Sequence, residues 1–213
     1  MKNYSNYHSN NINDKMMHDG LLLLQNSLDG FEGYEGILNN TKNTKVLFYD
    51  KYDAQSTTKK IIGYVEDIEL GNLFKINNEN WLITTYPEDN KVYRKAEVQL
   101  CNSTFPIEAN KNKVLIGYDN FGKPVYKEEI EYDYVPCIVQ SKLYMTTLNQ
   151  PINLPNDALL ITLPYNEMTK KIIENYPFIY HDRNYKVIDI DFSGVVIDKG
   201  IINVTVNRVV SKT

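Results

Sequence analysis

Arginine, histidine, cysteine and tryptophan are all scarce in this chain of 213 residues, which has three, three, two and one of them. Two cysteines are too few for the disulfide framework of a small secreted domain. Cys101 and Cys137 form no CxxC pair and sit in strand-like runs, so they read as buried free thiols. His8, His18 and His181 fall in an N-terminal arm, on a helix and at a hairpin tip, and no two have metal-ligand spacing. Long apolar runs are missing as well. Nothing nears the ~18 residues of a membrane span, and Leu21-Leu22-Leu23-Leu24 is too short for a secretory core segment. There is no GxSxG elbow, Walker A loop or GxGxxG. An excess of positive charge is also lacking. With 23 basic and 27 acidic residues the net charge is -4, which excludes a protein whose main work is clamping phosphates. A protein lining a path along which DNA slides stays admissible.

What is present is ordinary globular stock, 42% hydrophobic and 23% charged. The 26 Asn, 21 Ile, 20 Lys and 17 Tyr residues are favoured by AT-rich codons and point to a low-GC host or a virus of one. The expected setting is soluble, within the cell or in a particle assembled in the cytosol.

The first eleven residues are polar and Asn-rich and read as a flexible arm. Ile12, Met16, Met17, Leu21, Leu24 and Leu28 then recur at helical spacing, with Asn11 or Asn13 as a cap. Gly30, Gly33 and Gly36 follow and predict a linker, so the apolar stripe is expected to be a subunit interface or to pack on the chain's own body. Beyond about Thr44 short alternating strands dominate. The expected fold is mainly β: an N-terminal helix, then two tandem small antiparallel β-barrel or sandwich domains. The expected divisions are 1–36 for arm, helix and linker, 37–115 for the first β-domain and 116–213 for the second.

An internal echo carries the tandem assignment. Residues 74–83 lie without gaps over residues 178–187, matching Phe74 to Phe178 and Trp81 to Tyr185. Each copy has Phe, a polar tip ending in Asn, an aromatic and then an aliphatic residue, and each is followed by an alternating strand. The four aromatics are the expected core of two equivalent hairpins.

Candidate chemistry is thin. Asp189 and Asp191 share a strand face on which paired carboxylates hold Ca²⁺ or do acid–base work, but an exposed charged face is the commoner outcome. Glu66-Asp67-Ile68-Glu69 has the same standing. Enzyme is the weaker class, and neither a cofactor nor a metal is expected. The tyrosines offer stacking platforms for sugar or single-stranded nucleic acid, without an accompanying basic stripe.

The strings from Gly71 to Thr84 and from Asp89 to Asn102, with Ile161-Thr-Leu-Pro-Tyr-Asn166-Glu-Met-Thr169, Arg183-Asn-Tyr-Lys-Val and Leu154-Pro-Asn-Asp, resemble a structural protein family. It is encoded among the head–tail joining genes of tailed phages infecting low-GC Gram-positive bacteria. The resemblance covers roughly residues 62–206 and implies a head-closure (stopper or neck) protein. Such a protein forms a six- or twelvefold homo-oligomeric ring between portal–adaptor complex and tail. DNA passes through it without specific binding, and no membrane and no catalytic residue are involved. It implies a place in the virion neck after assembly in the host cytoplasm. The runner-up is a β-barrel binding module for single strands or carbohydrate, and a hydrolase built on Asp189 and Asp191 comes third.

Overall fold

The computed structural model describes residues 11–50, 57–118, 120–141 and 158–209. The expected arm with His8 and the Leu154-Pro-Asn-Asp string lie outside them. The described residues are mainly β with one α-helix and a single 3-10 turn, and they fall into two compact units. One lies within Met1–Cys101 with Phe192–Ile202, the other within Asn102–Asp191 with Asn203–Thr213.

Helix α1 spans Ile12–Asp29, and the Asn11 side chain caps it by accepting from the Asn13 N–H at 3.0 Å. Leu24 and Leu28 are buried against Leu47, with Ile62, Tyr64, Val92 and Tyr93 around them. The helix therefore packs on its own unit through its C-terminal half. Its other apolar residues stay out: Ile12, Met16, Met17 and Leu21 are all exposed.

The first unit has β1 (Gly33–Leu38), β2 (Lys42–Asp50), β3 (Thr58–Gly63), β4 (Leu73–Ile76), β5 (Glu79–Ile83), β6 (Glu88–Asp89) and β7 (Arg94–Leu100). The strand order β3-β2-β1-β4-β5-β7, with β7 pairing back to β3, closes a six-stranded antiparallel barrel. Closure removes every free edge from those six strands. Its interior is filled by Val46, Ile61, Phe74, Trp81, Ile83 and Val98. The buried Asp67 is held by Lys42 and Thr44, both at 2.6 Å. The linker expected at Gly30–Gly36 is replaced by a strand from Gly33 onward. Gly36 is needed there for close approach, since a Cβ would lie 2.9 Å from the Ile76 side chain and 3.2 Å from the Lys75 carbonyl.

The second sheet has β8 (Ser103–Tyr118), β9 (Pro124–Ser141), β10 (Ala158–Pro164), β11 (Pro177–Tyr180), β12 (Arg183–Asp191), β13 (Val195–Val196) and β14 (Lys199–Arg208). Its order, β11-β12-β14-β10-β9-β8, repeats the first barrel's β4-β5-β7-β3-β2-β1 strand for strand. The hairpins at the echo correspond in detail. Asn77 and Asn78 turn at φ 49° and 68°, His181 and Asp182 at 46° and 58°, as a two-residue type I′ hairpin requires. Phe74 pairs with Trp81 and Phe178 with Tyr185, and all four are buried. Upstream, Gly71 and Asn175 both take positive φ and donate to the carbonyls of Ile83 and Val187. A division after residue 115 falls inside β8; the units part after Cys101 instead, because β8 and β9 form one continuous pair.

Candidate functional site

The two repeats differ where the first one closes. In the first barrel β1 pairs with β4 through Ile37–Lys75 and Leu38–Phe74, and the Asn39 side chain accepts from the Leu73 N–H. The alternation of buried positions, Gly36 and Leu38 on β1 and Phe105 and Ile107 on the corresponding β8, puts Phe105 where the first barrel has Gly36. Pro106 then stands in place of Ile37, and the matched hairpins put Pro177 in place of Leu73. Each proline lacks the N–H that a strand pair needs, and Phe105 puts a ring where Gly36 lets the neighbouring strand come close. The second sheet accordingly ends at β8 on one side and β11 on the other.

Side chains bridge this seam instead of backbone. The Tyr176 hydroxyl accepts from the Glu108 N–H at 3.0 Å and donates to the Pro106 carbonyl at 3.2 Å. Burial pushes the Tyr176 phenol above its ordinary pKa, so it keeps the proton it donates. Phe105 packs against Phe178 with ring centres 4.7 Å apart and against Tyr176 at 6.0 Å. Over the seam runs a groove of about 880 Å³. Thr104, Pro106, Tyr132 and Tyr134 line one bank; Pro177, Ile179 and Lys186 line the other; Phe178 and Tyr185 contribute to the floor.

The second difference is length. The β1–β2 hairpin turns at residues 39–41, whereas β8 and β9 continue to a turn near residue 121. Beyond Glu108 and Tyr132 the two strands leave the barrel as a ribbon, with every β9 residue from Pro124 to Tyr134 exposed. Residues paired across an antiparallel ladder share a face. One face carries Tyr134, Tyr132, Ile130 and Tyr126 with Leu115 and Tyr118 opposite them or beside the tip, interrupted by Glu128 with Lys113 and by Lys111 with Glu108. The other carries Asp133, Glu131, Glu129 and Lys127 with Asn110, Asn112 and Val114. Two bulges, at Glu108/Asn110 and Leu115/Gly117, twist the ribbon. Lys111 reaches back to Glu108 at 3.0 Å, and that hydrogen bond raises the lysine's pKa. The aromatic face runs directly into the groove, because Tyr132 and Tyr134 belong to both.

The other residues singled out in the sequence are dispersed. Asp189 and Asp191 are both exposed on β12, in continuous register opposite Thr205 and Asn203 beyond a bulge after Val187. His18 is exposed on α1 and His181 sits in the hairpin turn against Tyr180, 4.3 Å between ring centres. Among the described residues no three His, Cys, Asp or Glu side chains are grouped to hold a metal. Cys137 is buried and Cys101 half-buried, where burial pushes its thiol up to about 12. Of the residues singled out in the sequence, Phe178, His181 and Tyr185 line the groove, but neither the groove nor the ribbon is anticipated as such. The signals that mark them are Pro106 and Pro177, at the two facing edges, and the length of the β8–β9 alternation.

Comparison with known proteins adds lineage to this geometry. Residues 6–100 match the YomX N-terminal domain and residues 103–207 the YomX C-terminal domain, the junction falling where the two units part. The chain is 35% identical, over 100% of its own length and 99% of the relative's, to the SPbeta prophage-derived protein YomX of Bacillus subtilis (strain 168). No solved structure matches.

Proposed function

The chain belongs to the YomX family, and from that premise we propose that it is a structural component of a tailed-phage particle. Its place is the neck, as a head–tail connector subunit in a ring around the DNA channel between portal–adaptor complex and tail. The observation that carries this reading is the ribbon: a long, exposed β-hairpin with an aromatic face is an assembly element, since two strands alone are marginally stable in water. The prophage origin of a full-length relative supports the same reading. So does the exposed half of the α1 stripe, Ile12 and Met16, which offers a second apolar contact. The partners this role calls for are further copies of the chain, portal or adaptor proteins, and tail proteins, with no cofactor and no catalysis.

Purified particles of the phage or prophage that encodes the chain test this. Mass spectrometry should find the chain at a ring's copy number, and a deletion should leave filled heads and free tails unjoined. Absence from particles, or normal joined particles without the gene, refutes the reading. A second reading rests on the groove itself, whose wall presents the exposed Tyr132 and Tyr134 and the Asn184 amide, side chains of the kinds that stack on and hydrogen-bond sugar rings. Calorimetric titration with oligosaccharides, saturable and lost in Tyr134→Ala, would establish it.

A further inference from the structure

We infer that the ribbon of one copy docks, aromatic face down, into the seam groove of the next copy, making a head-to-tail contact. This deepens the assembly reading above and rests on it. Three features of the chain select a second copy as the occupant.

The first is area. Leu115, Tyr118, Tyr126, Ile130, Tyr132 and Tyr134 lie on the aromatic face and are each 37–69% exposed. Aromatic side chains bury about 150–250 Å² each when fully covered, so this face leaves roughly 600 Å² of side-chain surface open. That is at the top of the range normal for the largest patch on a monomer and matches the lower end, roughly 600 Å² per partner, of a specific interface.

The second is reach. From Glu108 to Tyr118 the ribbon extends ten residues beyond the barrel, about 33 Å at the usual strand rise. That is about the width of a small domain, so the tip spans the neighbouring barrel.

The third is that the distal ribbon and the groove's far bank are separate surfaces of one domain, joined only at Tyr132 and Tyr134. The distal ribbon around Leu115 and Tyr126 does not line the groove, whose outer bank of Pro177 and Ile179 belongs to β11. The first repeat has neither feature: its matching hairpin is short and its matching seam is zipped. Ribbon and open seam therefore go beyond what the barrel fold needs, and they occur together. A donor on one face and an acceptor on another give a heterologous contact, which propagates until the rotation closes a ring.

Sedimentation velocity of the full chain across about 1–100 µM should show concentration-dependent self-association. Leu115→Lys with Tyr126→Lys on the ribbon and Ile179→Lys in the groove should each weaken it at least tenfold, with unchanged melting curves, because all three side chains are exposed. Glu129→Gln on the opposite face should leave it unchanged. A photo-crosslinker at position 126 of the otherwise wild-type chain should capture residues 177–186 of another copy. A chain monomeric throughout, association indifferent to both variants, or crosslinks made only to the other copy's ribbon would overturn the inference. A monomeric chain that is nonetheless found in purified particles overturns this contact alone. A self-associating chain absent from particles overturns the connector reading alone.

Discussion

The difference between a closed and an open barrel comes down to a few side chains. Gly36 lets β1 and β4 approach until a methyl group would collide with Ile76, while its counterpart Phe105 packs at a tilt against Phe178 and holds the strands apart. The hydroxyl of Tyr176 then supplies the polar partners that the missing ladder would have given to Glu108 and Pro106. Tyr176→Phe keeps the ring packing and removes both hydrogen bonds, leaving the Glu108 N–H without its partner in a part-buried site. The expected cost is about 1–3 kcal/mol, read by urea denaturation, with faster hydrogen exchange at the Glu108 amide. An unchanged stability and exchange rate would show that the bridge is not structural. The hairpin turns and Trp81 were legible because type I′ chemistry and hydrophobic alternation are local. Phe105 opposite Phe178 was not, since that contact depends on which strands lie side by side.

At the scale of elements, helix α1 is divided between two environments. Leu24 and Leu28 contact the barrel and Ile12 and Met16 do not. The apolar stripe was legible from its spacing; which part packs on the chain's own body depends on where β2 places Leu47. Leu28→Ala should therefore cost about 2–4 kcal/mol as a buried truncation, whereas Met16→Ala should change stability by less than about 0.5 kcal/mol. Thermal melts of the two variants decide this, and equal losses would mean the whole helix is core. The prolines allow a second test. Pro106→Ile with Pro177→Leu restores the backbone donors and copies the first barrel's residues at the same places. The seam should then narrow, with slowed exchange at the amides of residues 106 and 177. If those amides stay unprotected, the bulk of Phe105 rather than the missing donors keeps the sheet open.

For the whole molecule, charge bears on the channel that a connector surrounds. Affinity for duplex DNA comes mainly from releasing counterions as Lys and Arg neutralise phosphates. The chain carries a net charge of -4. Several of its cations are already engaged by acids: Arg94 by Asp89, Lys95 by Glu88 and Lys42 by Asp67, all within 3.0 Å. The ribbon's polar face adds Glu129, Glu131 and Asp133 against Lys127, a net negative stretch that repels phosphate. A wall with these properties lets DNA move past without holding it, which a channel needs and a packaging or repair protein does not. Binding to a random-sequence duplex, measured by fluorescence anisotropy at about 150 mM salt, should therefore be weaker than about 10 µM, within the range of non-specific contacts. Because so few phosphates would be neutralised, the dependence of log affinity on log salt should also be shallow. Submicromolar affinity with a steep salt slope would mean that cations converge on one surface after assembly or in solution, and the passive-wall role would fall.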